Sequence, residues 1–180
     1  VDKNKQLYGF IAIRGAWHDP KNRETEMERI EKAAKAGADC LVIDQGVVYA
    51  SQIEIAKYIK EHYPDIQVGV GNVACGALVE ELLGKAGDCI DMIKVGVGPG
   101  SACITQQELG VGRAQPSAVY ECTQTLKRLR NKYGNITLVA DGGAKSAADI
   151  TKLIALNSDT VMMGWMFAAL DESPGSAEPK

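Results

Sequence analysis

Between Val95 and Thr105 the chain reads Val-Gly-Val-Gly-Pro-Gly-Ser-Ala-Cys-Ile-Thr, with one thiol set behind three glycines. Gly96, Gly98 and Gly100 let backbone N–H and C=O groups approach a ligand or ion with no Cβ in the way. Cys103 lies in this polar segment rather than on an apolar helix face. A thiolate there is available as a nucleophile, and Thr105 could move a proton or orient a water. The alternative is a glycine-rich turn with a bystander cysteine. A dinucleotide fingerprint fits less well, because the run is G-x-G-P-G rather than G-x-G-x-x-G. The acid about 20 residues on, Glu121, also falls in a helical pattern instead of at a strand end.

Two further strand ends carry glycine. Asp141-Gly142-Gly143 follows Leu138-Val139-Ala140, and Gly164 follows Val161-Met162-Met163. Such turns can bind a phosphate through free backbone N–H groups, and Asp141 is placed to accept hydrogen bonds from a ribose diol. The alternative is a pair of tight strand-to-helix turns. Asp44 and Asn72 close two other apolar runs, where each either caps the next helix or faces a ligand. The remaining cysteines read as structural: Cys40 and Cys89 border strands, Cys122 lies on an apolar helix face, and Cys75 is ambiguous. Neither His18 nor His62 stands in a triad order.

The elements that must position these residues alternate. Apolar runs at Tyr8–Ile13, Cys40–Asp44, Gln67–Val70, Met92–Val95, Thr137–Ala140 and Thr160–Met163 suit strands buried on both faces. Between them lie helical patterns built on Met27/Ile30/Ala34, Ile53/Ala56/Ile59, Leu78/Leu82/Ala86, Ala118/Cys122/Leu126/Leu129 and Ile150/Leu153. Ser146 is an N-cap for the last, with Asp149 in its first turn. This repetition predicts a parallel sheet with right-handed crossovers. Only the interval from Met92 to Thr137 is long, and its surplus, Gly96–Gln115, directly follows a strand, where parallel α/β folds build active sites. Six strands are too few for a closed (βα)8 barrel of about 250 residues. The pattern therefore leaves an open doubly wound sheet or most of a barrel.

Composition excludes several classes. Among 180 residues, 46% are hydrophobic and 24% charged, so collagen-like and disordered chains are out. The net charge of −3, with no basic run, excludes a phosphate-tracking nucleic-acid surface. No apolar run approaches the roughly 20 residues that span a bilayer. The N-terminal residues carry no apolar signal core. Five cysteines without a CxxC pair fit a reduced, cytoplasmic chain.

The run Ile93–Thr105, followed by Gly110-Val-Gly-Arg-Ala-Gln-Pro-Ser-Ala-Val119, resembles the catalytic loop of the IMP dehydrogenase/GMP reductase family. Val139-Ala-Asp-Gly-Gly143 and Thr160-Val-Met-Met-Gly164 are similar to that family's phosphate-binding strand ends, and Asp44 and Gly71-Asn72-Val73 fall in register. The similarity runs over nearly the whole chain. It implies a (βα)8 TIM barrel of which residues 1–170 supply about six βα units, the third to the eighth strand. Residues 171–180 would begin a mobile flap or a tail.

The resemblance also implies chemistry. Cys103 would attack purine C2, with Thr105 assisting. Dehydrogenation of IMP with NAD gives XMP, whereas the reductase branch converts GMP to IMP with NADPH. Ser101, Gly142, Gly143, Gly164 and Trp165 would hold the nucleotide phosphate and Asp141 its ribose. Asp44, Asn72, Gly96 and Gly98 would face the cofactor, and the carbonyls of Gly98, Gly100 and Cys103 would hold a potassium ion. A homotetramer is implied. Asp171-Glu-Ser-Pro-Gly175 and Cys103-Ile-Thr-Gln106 favour the dehydrogenase; the reductase and a nucleotide-binding partial barrel without catalysis are the alternatives. Trp165 departs from the family's small residue. Its indole is expected to leave the phosphate volume and pack on the apolar run that begins at Met166.

Overall fold

The computed structural model describes residues 8–15, 17, 19–46, 50–100, 103–168 and 170–173. His18, Ser101 and the tail from residue 174 lie outside the described residues. The elements are β1 (Phe10–Arg14), α1 (Pro20–Lys35), β2 (Cys40–Asp44), α2 (Ala50–His62), β3 (Gln67–Val73), α3 (Gly76–Ala86), β4 (Met92–Val95), α4 (Thr105–Leu109), α5 (Gln115–Tyr133), β5 (Thr137–Asp141), α6 (Ala147–Ala155) and β6 (Thr160–Met162). The short helix α4, inside the long loop, is the one helix that periodicity did not foresee.

Helix starts follow local chemistry. Asp19 caps α1 by accepting from the Lys21 N–H, with Pro20 in its first turn. Ser146 caps α6 by accepting from the Asp149 N–H, and its own hydroxyl donates to the Asp149 carboxylate. Gly134, at φ 77°, ends α5 where an L side chain would be strained.

All six strands are parallel and lie in sequential order, β1-β2-β3-β4-β5-β6. A doubly wound sheet reverses its strand order at a switch point, and this one does not. The chain is therefore an arc of a (βα)8 barrel, and the choice the sequence left open is resolved for the barrel.

Strand residues divide by parity. Leu41, Ile43, Val68, Val70, Ile93 and Leu138 point outward and join the helices in one core with Ile30, Ile55, Leu82 and Val119. Cys40, Val42, Met92 and Val139 point inward as a separate cluster, the filling of the barrel interior. On β3 the inward positions in register with Val42 and Met92, and with Asp44 and Lys94, are Gly69 and Gly71. A Cβ on Gly69 would lie 2.4 Å from Met92 Cε, so the Met92 side chain fills the space Gly69 leaves. At the two edges, Phe10 and Met162 remain exposed, because among the described residues no strand lies beyond β1 or β6.

Candidate functional site

The carboxyl ends of β2 to β6 converge on one mouth, and the Gly96–Gly100 loop leaving β4 lies across it. The Cys103 N–H donates to the Gly100 carbonyl at 3.1 Å, a tight turn that presents the thiol. Thr105 is the first residue of α4, and its hydroxyl is the largest influence lowering the pKa of the Cys103 thiol. That hydroxyl, the Thr105 backbone N–H and the Gly98 backbone hold the thiol below its ordinary pKa; partial burial and the Asp141 charge oppose them. Burial instead pushes Cys40 and Cys122 up to about 12, so these two are inert at neutral pH. All five cysteines are free.

Two cavities meet at this thiol. A larger one of about 840 Å³ runs between Gly100, Cys103, Asp141, the Gly142-Gly143 turn and Gly164, with Trp165 at its wall. A smaller one of about 180 Å³ lies toward Asp44, Gly46, Asn72 and Gly98. Gly100, Cys103, Asp141 and Gly142 border both. The positive φ values of Gly142 and Gly143, 89° and 82°, turn the chain so that the Gly143 N–H meets no acceptor among the described residues. A Cβ on Gly142 would lie 2.9 Å from the Gly100 nitrogen, so the β5 turn packs directly on the cysteine loop.

Under the mouth lies a charged network. Lys94, its side chain only 3% exposed, donates to Asp44 Oδ1 at 3.0 Å and to Asp141 Oδ2 at 2.8 Å. Asn72 donates to the same Asp141 oxygen at 2.9 Å and to the Gly96 carbonyl at 2.6 Å. Gln115 grips the Val95 carbonyl at 2.8 Å and the Asp141 carbonyl at 3.1 Å. Asp44, Asn72, Gly96, Gly98, Cys103, Thr105 and Asp141 are thus brought together. Gly143, Gly164 and Trp165 line the larger cavity's far side.

A sequence-family comparison matches residues 11–179 to the IMP dehydrogenase / GMP reductase domain. The chain belongs to this family. It is 40% identical over 154 residues, 85% of this chain and 30% of the relative, to inosine-5'-monophosphate dehydrogenase of Chlorobaculum tepidum. Against the enzyme of the same name from Chlorobaculum parvum it is 38% identical over 175 residues, 97% of this chain and 33% of that one. Inosine-5'-monophosphate dehydrogenase 2 of Arabidopsis thaliana is 40% identical over 159 residues, 87% of this chain and 30% of its own. The chain therefore spans about a third of the length of these curated relatives.

Within this IMP dehydrogenase/GMP reductase fold, sequence reasoning missed Lys94 and Gln115. The available signal for Lys94 was a lone charge inside the apolar strand run Met92–Val95, at an inward parity; for Gln115 it was a glutamine just before Pro116 at a helix start. Glu121 lies within α5, as its helical pattern required, and accepts from the Gly76 N–H and from Arg113. Trp165 corrects one expectation. Its indole does not pack on the following apolar run: it is 71% exposed, and Phe167 and Leu170 are each 49% exposed. The physical reason is that β6 is an edge, with no layer of described residues beyond it for the ring to bury against.

The donor chemistry fits the groups the family uses. The Gly98 and Cys103 carbonyls accept no hydrogen bond among the described residues, and such hard, neutral oxygens suit a monovalent cation. Among the described residues Asn72 Oδ1 is buried with no partner and Asp44 Oδ2 accepts no hydrogen bond; both suit the hydroxyl or amide donors of a ligand in the smaller cavity. The described residues hold no cluster of three or more His, Cys, Asp or Glu suited to a transition metal. No helix among them is long and apolar enough to cross a membrane.

Proposed function

We propose that this chain carries the nucleophile and nucleotide cradle of an NAD-dependent IMP dehydrogenase, with the net reaction IMP + NAD⁺ + H₂O → XMP + NADH + H⁺. The observation that carries the reading is Cys103, a thiol held below its ordinary pKa by Thr105 at the junction of two cavities.

The nucleotide belongs in the larger cavity. Its phosphate meets the N–H groups of Gly143, Gly164 and Trp165, with Gly142 beside them, and its ribose hydroxyls donate to Asp141; Ser101, which the resemblance assigns to the phosphate, lies outside the described residues. The Cys103 sulfur adds to purine C2, which must then lose a hydride to restore the ring; the resulting thioimidate is cleaved by water to release XMP and the free thiol. Thr105 lowers the pKa of the thiol, which favours the nucleophilic thiolate before attack, and is placed to take part in proton transfer at hydrolysis. Asp44, Asn72, Gly96 and Gly98 would hold NAD, which would supply the hydride acceptor. A potassium ion at the Gly98, Gly100 and Cys103 carbonyls would fix the loop's path. Residues 1–170 form the barrel portion and residues 171–180 open the flap. The assembly is a homotetramer in the cytoplasm.

The test is turnover of IMP with NAD against GMP with NADPH, with intact-mass detection of a purine adduct on Cys103. XMP formation with the adduct supports the dehydrogenase. IMP formation from GMP assigns the reductase instead, and nucleotide binding without an adduct assigns a partial barrel without catalysis.

A further inference from the structure

We propose that Lys94 is a positioning residue that ties the carboxylates of Asp44 and Asp141 into one charged unit joining the two compartments of the site. This rests on the reading above for which ligand each compartment takes. Lys94 lies on β4 in register with Gly71 on β3, which is in turn in register with Asp44 on β2. Gly71 leaves its inward position empty, so the lysine side chain crosses β3 and reaches a carboxylate two strands away. On the other side it reaches Asp141, at the end of β5. With 3% of the side chain exposed, two of the three ammonium protons are taken by carboxylates in a space nearly closed to water.

The consequence is directional. Asp141 Oδ2 accepts from both Lys94 and Asn72, so Oδ1 alone is left to receive a ligand hydroxyl. Asp44 Oδ1 accepts from Lys94, so Oδ2 is the oxygen left for a ligand in the smaller cavity that Asp44 lines. Each carboxylate thereby has one oxygen engaged by Lys94 and one left to a ligand. A buried ammonium shared by two carboxylates also makes each sensitive to what binds the other, a coupling that must be reciprocal.

Two measurements on the full chain decide it. In the first, the shifts in urea midpoint of Asp44→Asn and Asp141→Asn are compared with that of the double variant, in the wild-type and in the Lys94→Met background. Shifts that are non-additive with Lys94 present and additive in the Lys94→Met background, where the ammonium is gone, support the tie; additive shifts in both backgrounds overturn it. In the second, calorimetry reads affinity for inosine 5'-monophosphate and its 2',3'-dideoxy analogue. Lys94→Met should lose about tenfold on the ribonucleotide and little on the dideoxy form, a loss worth about 1.4 kcal/mol. Lys94→Arg, which keeps the charge and a forked donor set, should recover most of it. An unchanged ribose preference in Lys94→Met overturns the positioning role. If the wild type binds neither nucleotide, the functional reading falls while the urea cycle still decides the tie. If Lys94→Met does not fold, the cycle is run against the neutral, polar Lys94→Gln, where lost coupling supports the tie and unchanged coupling overturns it.

Discussion

A Cβ built on Gly71 would lie 2.6 Å from the Cβ of Lys94 and 2.9 Å from its carbonyl oxygen. The neighbour on one side of that contact is backbone, so it cannot swing aside as a flexible side-chain end would. Gly71→Ala should therefore destabilise the fold by roughly 1–3 kcal/mol, the usual cost of overpacking a core. It should also displace Lys94 from Asp44. A urea melt checks the first point. A midpoint equal to wild type would mean that β3 and β4 separate freely at this level, and the account of the barrel interior would fail.

The strands were legible in the sequence to a degree that follows from their burial. β2 and β4 are covered on both faces, and their apolar runs, Cys40–Asp44 and Met92–Val95, coincide with the observed strands. β3 runs further, to Val73, because Gly71 and Asn72 read as loop residues although they continue the strand between β2 and β4. The site was legible where glycine marks a turn, as at Gly142-Gly143. It was illegible where a long side chain crosses a neighbouring strand. Lys94 reaches Asp44 through the space left by Gly71, and no single segment contains that relationship. The position of Trp165 was misjudged because burial depends on which layer lies beyond β6, a tertiary fact.

Cys103 should be the one cysteine that reacts near neutral pH. The Thr105 hydroxyl holds its thiol below the ordinary value, so its alkylation rate should rise through a midpoint below that of an ordinary thiol. Thr105→Val removes the strongest of the interactions that lower it and should move that midpoint upward. Cys103→Ala should keep nucleotide affinity but lower turnover by several orders of magnitude, because the covalent step disappears. Turnover of Cys103→Ala within about tenfold of wild type would rule out the covalent route.

Alkali should find a different weakness. Burial raises Cys40 and Cys122 to about 12 from an ordinary value of 9.0. A thiol whose folded pKa is raised contributes stability fully below its unfolded pKa and loses it as pH rises toward the folded one. The contribution of these two thiols to unfolding free energy should therefore be constant up to about pH 8.5 and decline from there toward about pH 12. Replacing both residues by Ala should lower stability at neutral pH by opening small cavities, yet flatten this decline. A wild-type curve that stays level across about pH 9 to 11 would show that these two sulfurs are not shielded from water.

The last prediction concerns Trp165. Its backbone N–H meets no acceptor among the described residues and remains available to a phosphate whatever side chain follows. The indole, 71% exposed, stands at the wall of the larger cavity. A ring wedged into the cavity as a plug would be buried, since burying an aromatic of this size is favourable by roughly 2–3 kcal/mol. Its exposure argues for a place outside the nucleotide volume. Trp165→Ser should accordingly leave affinity for a purine monophosphate within a few-fold of wild type, because nothing is unblocked and the backbone donor is retained. The variant's melting midpoint should also change little, as an exposed ring contributes little burial. Calorimetric titration of wild type and variant with inosine 5'-monophosphate reads the first outcome. An affinity that rises about tenfold or more in Trp165→Ser would mean that the ring obstructs the site in solution, worth about 1.4 kcal/mol of occlusion. The phosphate cradle at Gly143 and Gly164 would then have to be regarded as gated by its own neighbour.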